Sequence, residues 1–204
     1  MSLLEGSERK HKEEQMRRAG RLPPGQSLTE KWPVLHYGSV PKIDLASWNL
    51  RLFGEVESPT TFRFDELRAL PRITLRNDIH CVTRWSKFDC HWEGVSVREL
   101  MARVRPTKKA HYAMVHAEHG FSSNLPLADL LDESVLLAFA MNGEPLSPEH
   151  GWPLRLVVPK LYFWKSVKWV RAFELLQHDA PGFWERNGYH MRGNPWNEER
   201  YSDG

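Results

Sequence analysis

From residue 32 onward the chain is organised by short runs in which apolar and polar positions alternate. In WNLRLFGEV (48–56), Trp48, Leu50 and Leu52 alternate with Asn49 and Arg51, and Gly54 ends the run. A period of two predicts a half-buried strand. SPTTFRFDELRAL (58–70) predicts a strand, an N-cap at Asp65 and a short helix ending before Pro71. ITLRNDIHCV (73–82) predicts a strand that runs straight into a cysteine. GVSVRELMARV (94–104) carries Val97, Leu100, Met101 and Val104 at helical spacing, so a short helix is expected. AHYAMVHAEH (110–119) predicts a strand, and PLADLLDESVLLAFAMNGEPL (126–146) a helix, a strand and a turn at Asn142-Gly143. PLRLVVPK (153–160) and VKWVRAFELL (167–176) read as strands around a loop at 161–165, and the C-terminal stretch as Gly/Asn/Trp-rich coil. Short strands with a few small helices predict an α+β domain with mixed, mostly antiparallel sheet. There is no βα repetition and no Gly-rich phosphate loop, which disfavours a nucleotide-binding fold.

Residues 1–31 break this pattern. They hold seven Lys/Arg against five Asp/Glu, could form a short helix near 8–19, and end in the breaker Leu22-Pro23-Pro24-Gly25. The expected division is a charged arm over 1–31, serving as a solvated tail or a clamp, and one domain over 32–204. A hydrophobic share of 41% in 204 residues is enough for a real core. Net charge of only +2 and a mixed-sign arm argue against a nucleic-acid partner. No apolar run reaches the ~18 residues of a membrane span, and the N-terminus has no signal-peptide pattern. A cytoplasmic protein without membrane insertion is the expectation.

Candidate chemistry concentrates in IHCVTRWSKFDCHWEGV (79–95), which holds both cysteines, each beside a histidine: His80-Cys81 and Cys90-His91. Zinc sites usually pair ligands two to four residues apart, whereas adjacent side chains on a strand point to opposite faces. A disulfide across the loop needs close Cβ atoms, and the sequence does not exclude one. Cys90, in FDCHWEGV, reads as turn and packing, a small buried hydrophobe. Cys81 stands at a strand end, followed by Thr83 and Arg84, with Lys87 near; that charge favours a thiolate, a soft ligand for a soft metal.

Six blocks in order, WPVLHYGSVP, WNLRLFGEVESPTTF, HCVTRWSKFDCHWEGV, HGWPLRLVVP, WKSVKWV and GYHMRGNPWNEERYS, resemble the sulfite-oxidase-like molybdopterin oxidoreductases, especially small bacterial single-domain members. The resemblance implies the sulfite oxidase fold and a molybdenum-molybdopterin cofactor whose metal takes one protein thiolate, here Cys81. It implies cofactor contacts from Arg155, from Ser166, Val167 and Lys168 with Lys165 assisting, and from His150 where relatives often have Asn. His36 and Tyr37 lie where relatives contact the pterin, and His116 where relatives have another contact. From the residues alone, Lys165 and Lys168 read equally as solvent-facing positions on a strand, and His116 as a satisfied core histidine. Arg84 either holds an anionic substrate near the metal or braces the cysteine loop. Tyr189, His190 and Arg192 are candidates for the entrance, and Tyr162, Phe163, Trp164 and Trp196 for an aromatic mouth. The implied activity is two-electron oxo transfer on a small sulfur- or nitrogen-oxide type substrate. No C-x-x-C-H haem motif is present, so electrons would pass to or from a separate protein. The dimerisation domain of larger sulfite oxidases has no counterpart, and a monomer is expected. The competing readings are a molybdopterin-binding or degenerate scaffold without catalysis, and a zinc or thiol hydrolase built on the His/Cys pairs.

Overall fold

The computed structural model describes residues 3–202. Its strands are β1 (Ser27–Leu28), β2 (Asn49–Gly54), β3 (Thr60–Arg63), β4 (Arg72–His80), β5 (Trp85–Ser96) and β6 (Tyr112–Ala117). They continue with β7 (Ser122–Pro126), β8 (Leu136–Met141), β9 (Glu144–Pro145), β10 (Arg155–Val157) and β11 (Val170–Leu176). The helices are α1 (Leu3–Arg18), α2 (Phe64–Arg68), α3 (Val97–Val104), α4 (Leu127–Leu130) and α5 (Phe183–Arg186).

The strands form two sheets. One runs β1-β5-β8-β10, with β4 on the other edge of β5 and β9 beside β8; the second runs β3-β2-β11-β6-β7. Pairing is antiparallel except for β1 with β5 and β11 with β2. The expected α+β class with mostly antiparallel sheet is what the chain adopts. No helix among the described residues is long and apolar enough to cross a membrane.

The main core joins both sheets. Leu50 and Leu52 of β2, Phe173 and Leu175 of β11, and Val95, Leu137 and Phe139 of the first sheet pack with the apolar face of α3. All four predicted apolar residues of α3 are buried. A second cluster lies around Ile79, Cys90, Trp92 and Val157, and a third, small one joins Cys81, Val82, Tyr162 and Trp164.

Several local expectations are corrected. FDCHWEGV is not a turn: it is the middle of β5, where Cys90 and Trp92 face inward and His91 outward. The stretch hides its strand character because the β4–β5 pairing shifts register between Asn77 and Ile79, near Asp89 with its φ of 56°. The helix expected from 94 starts at Val97, since Gly94, Val95 and Ser96 still pair with β8. Asp65 is not the N-cap of α2 but stands in its first turn, and Glu66 accepts from the Arg63 amide (2.7 Å). The strand expected over 167–176 begins at Val170, because Trp169 is left-handed (φ 53°) and turns the chain into it. The strand expected over 153–160 shrinks to β10, flanked by Pro153 and Pro159, which cannot donate to a ladder. Strand β7, made of buried Ser122, Ser123 and Asn124, has no apolar alternation to announce it.

The arm is ordered against the domain. After α1, Arg21 grips Asp78 through two hydrogen bonds (2.9 and 2.7 Å) and also reaches Asp89 (2.6 Å). Leu22 and Gln26 are buried, and β1 adds to β5 at Trp85 and Ser86. Of the two roles expected for the arm, this part of it has the geometry of a clamp.

Candidate active site

The site starts from Cys81, immediately after β4. Its amide donates to Trp85 O (2.8 Å), and its carbonyl accepts from the Arg84 amide (3.0 Å). Arg84 closes this tight turn at a left-handed φ of 71°. The turn aims the thiol into a cavity of about 300 Å³. Sγ lies 3.1 Å from Thr83 Oγ1, and burial raises the thiol pKa. Cys90 is enclosed in the second cluster, where burial pushes its pKa up to about 12. Both cysteines are free.

Cations without carboxylate partners line another part of the cavity. Arg155 of β10 is 1% exposed. It donates to the carbonyls of His150 and Ser166 (both 2.9 Å), and Phe163 lies 4.3 Å from its guanidinium. Its Nε has no partner, and burial brings its pKa down to about 9. Lys168 donates to Glu149 O (2.7 Å). Burial, and then the like charge of Arg155, lower its pKa to about 7. His150 stacks on Trp32 at 3.7 Å, its Nδ1 meets Ser147 Oγ (2.9 Å), and its buried Nε2 is unpartnered. Its pKa is lowered by burial, then by the charges of Arg155 and Lys168. Gly151 makes the crowding possible at φ 111°, because a Cβ there would stand 3.0 Å from Arg155 Cβ and 3.2 Å from Lys168 Cβ. Desolvated cations with free donor capacity form a site for a multiply charged anion.

Of the sequence-predicted residues, Cys81, His36, Tyr37, His150, Arg155, Ser166, Val167 and Lys168 meet at this cavity. Ser166 is buried and its hydroxyl accepts from the Val158 amide (2.9 Å). His36 and Tyr37 form part of an exposed rim, where Tyr37 packs on Phe183 (4.5 Å).

Three predicted residues lie elsewhere. Lys165 does not line the cavity; it is fully enclosed, pairs with Glu185 at 2.5 Å, and donates to Asn124 O, Asn124 Oδ1 and Met191 O. His116 points off the outer face of β6, between buried Val115 and Ala117, and meets Glu174 (2.9 Å). Arg84 turns away from the cavity toward the arm, its Nη1 standing 2.8 Å from where a Cβ on Gly25 would be. Among the entrance candidates, Tyr189, Phe163 and Trp164 line the cavity, whereas Arg192 is bound to Asp129 (2.9 and 3.0 Å). Tyr162 is buried beside Trp164, His190 accepts from the Arg192 and Gly193 amides, and Trp196 packs near His80. Glu118 and His119 line the cavity without having been singled out. The signal available was the Glu-His-Gly sequence after β6, where His119 and Gly120 both take positive φ. Among the described residues, no group of three His, Cys, Asp or Glu side chains converges as a metal site, so the His/Cys pairs do not assemble into a zinc centre.

A soft thiol and a separate anion-binding end in one cavity fit a metal cofactor with a phosphate tail. Comparison with known proteins agrees. The family model "Oxidoreductase molybdopterin binding domain" matches residues 37–184. An uncharacterized oxidoreductase, YuiH, of Bacillus subtilis (strain 168) is 50% identical over 94% of this chain and 97% of its own length. A putative protein-methionine-sulfoxide reductase subunit, YedZ1, of Azospira oryzae is 27% identical over 83% of this chain and 66% of its own. Sulfite oxidase of Arabidopsis thaliana is 27% identical over 76% of the chain, which corresponds to 49% of that enzyme. In structure, the sulfane dehydrogenase SoxCD of Paracoccus pantotrophus superposes with a TM-score of 0.67 at 24% identity, covering 79% of this chain and 47% of that one. The expectation of a sulfite-oxidase-like fold holds, and the chain is an oxidoreductase of the molybdopterin-binding domain family.

Proposed function

We propose that the protein is a molybdenum-molybdopterin enzyme performing two-electron oxo transfer on a small, uncharged sulfur- or nitrogen-oxide type substrate, with Cys81 as the protein ligand to the metal. The observation that carries the reading is a single buried thiol sharing a cavity with two desolvated cations that have no carboxylate partner. Arg155, Lys168 and His150 would hold the anionic and polar parts of the cofactor, with Ser166 and Val167 beside them. His36 and Tyr37 would flank the pterin at the rim. The metal, when bound, would supply the two-electron oxo-transfer chemistry.

The chain's own residues orient and enclose. The turn at 81–84 presents the thiol, and the rings of Trp85, Phe163, Trp164 and Trp184 line the cavity with apolar surface that would shield a bound cofactor from water. Neither Arg84 nor Arg192 reaches the cavity, so the extra arginines that a compact oxyanion such as sulfite calls for are not at hand. An aromatic mouth suits a neutral S-oxide or N-oxide better. His116, Lys165 and Arg84 have no direct part in this assignment. Electrons would pass to or from a separate redox protein.

The test is metal analysis of chain produced in a molybdate-fed, cofactor-competent host, for wild type and Cys81→Ser. About one molybdenum per chain, with pterin fluorescence after denaturation, is expected of the wild type, and loss or an altered metal spectrum of the variant. Zinc in place of molybdenum, or neither metal nor pterin in a host that loads a control enzyme, would overturn the reading; the second result leaves a non-catalytic scaffold.

A further inference from the structure

Cys81 sits on a turn whose carbonyls are held from outside the span 37–184 matched by the family model. Gln26, from the N-terminal arm, is 1% exposed and donates from Nε2 to Cys81 O (3.0 Å). Its Oε1 accepts from Ser86 Oγ (3.4 Å), across the turn. Arg200, from the C-terminal tail, is 5% exposed and donates from Nη1 to Val82 O (2.6 Å). Its Nη2 lies 3.4 Å from Pro24 O and 3.6 Å from Glu198 Oε1, and its guanidinium stands 4.9 Å from the Tyr162 ring centre. The arm, the cysteine turn and the tail converge on Gly25. A Cβ there would lie 2.5 Å from Glu198 Oε1, 2.8 Å from Arg84 Nη1 and 3.1 Å from Arg200 Nη2. Two consecutive carbonyls of one tight turn thus each accept from a buried side chain, one from either end of the chain.

A thiolate ligand has little freedom once its main chain is fixed, and groups around a metal's direct ligands set their orientation and the metal's potential. Resting on the assignment of Cys81 as the metal ligand, we infer that Gln26 and Arg200 are positioning residues that together fix the Cys81 turn and so the direction from which its sulfur meets the metal. Arg200 adds a positive charge on the side of the turn facing the tail. Gln26 adds direction without charge, so the two contributions separate experimentally.

The test uses full-length Gln26→Leu, Arg200→Met and Arg200→Lys, with Val104→Ala in the main core as a control for destabilisation at a distance. In cofactor-free protein, hydrogen exchange of the segment 81–86 is expected to rise about tenfold in Gln26→Leu and Arg200→Met, as loss of a buried hydrogen bond implies, and not in the control. In molybdenum-loaded protein, both variants shift the Mo(V) electron paramagnetic resonance spectrum. Arg200→Met also lowers the midpoint potential, because a positive charge that favours the reduced centre is gone, and Arg200→Lys restores part of it. Val104→Ala lowers thermal stability with the spectrum unchanged. Faster exchange with an unmoved spectrum and potential would mean bracing for stability alone and overturn the inference, as would wild-type exchange in both variants. If wild type binds no molybdenum, the proposed function fails on that measurement, the role toward a metal falls with it, and the exchange arm alone reads the grip on the turn.

Discussion

Lys168 is the residue whose environment makes the sharpest demand. Burial holds its pKa near 7 against the ordinary 10.5, with Arg155 adding repulsion and Glu149 opposing it. Between those values the unfolded chain carries the proton and the folded chain does not, so the cofactor-free protein gains stability as pH rises from about 7 to about 10. Lys168→Met should flatten that rise and stabilise the cofactor-free protein at pH 7 by on the order of 1 kcal/mol, or about 2–4 °C, after discounting for partial exposure. The same substitution should lower cofactor content. Thermal unfolding across pH, with pterin content measured in parallel, checks both. The two thiols make a second contrast. Cys81 borders a cavity at 7% exposure and Cys90 is enclosed at 0%. In the native cofactor-free chain iodoacetamide should therefore label Cys81 ahead of Cys90, and only slowly at neutral pH because burial raises the Cys81 pKa. Cys90 should react on unfolding, as peptide mass spectrometry would show.

Among the elements, β5 carries the first sheet, serving β4 along one edge and β1 and then β8 along the other. Where it meets β8 the strands approach too closely for any side chain: a Cβ on Gly94 would lie 2.0 Å from Leu137 O. Gly94→Ala should therefore cost about 3 kcal/mol, near the upper end for overpacking, and a denaturant melt would reveal it. Helix α5 is tied down by a buried pair. Glu185 takes Lys165 at 2.5 Å, Trp164 Nε1 at 2.8 Å and Ser123 Oγ at 3.3 Å, and Lys165 also holds the Met191 carbonyl. Lys165→Met leaves that carboxylate buried without its cation and should cost about 3–5 kcal/mol. The double variant Lys165→Met/Glu185→Gln should cost less than the sum of its parts. Additive losses in a double-mutant cycle would show that the two act separately.

At the scale of the whole molecule, the cavity lies where the rim at 32–37, the cysteine turn, the loop before β11 and the C-terminal segment around Trp184 and Tyr189 meet. A ligand that binds only the folded chain stabilises it by mass action. Chain from a cofactor-competent host should therefore melt higher than chain from a host lacking the cofactor, by about 6–12 °C if occupancy adds about 3 kcal/mol. Equal melting temperatures at confirmed loading would show that the cofactor holds folded and unfolded chain alike, against a site built by the fold.

The sequence alone carried the α+β class, the apolar faces of β2 and α3, and the cluster of residues that includes Cys81, Arg155 and Lys168. Period-two and helical patterns record which face of an element is buried, and the order of the family's blocks is a linear property. It did not carry β7, whose Ser-Ser-Asn run is buried, with Glu185 and Asp179 arriving from more than fifty residues away to satisfy Ser123 and Asn124. Nor did it separate Lys165 from Lys168, three residues apart. A turn at Phe163–Lys165 sends the first to Glu185, while the second lines the cavity. The two readings left open for Arg84 and for His116 were undecided for the same reason: a left-handed turn and the outward face of a strand set direction, and direction is not written in composition. The grip of Gln26 and Arg200 on the cysteine turn spans 55 and 118 residues of chain, a proximity that only the packed molecule brings about, because local pattern is silent on which distant segments share a buried carbonyl.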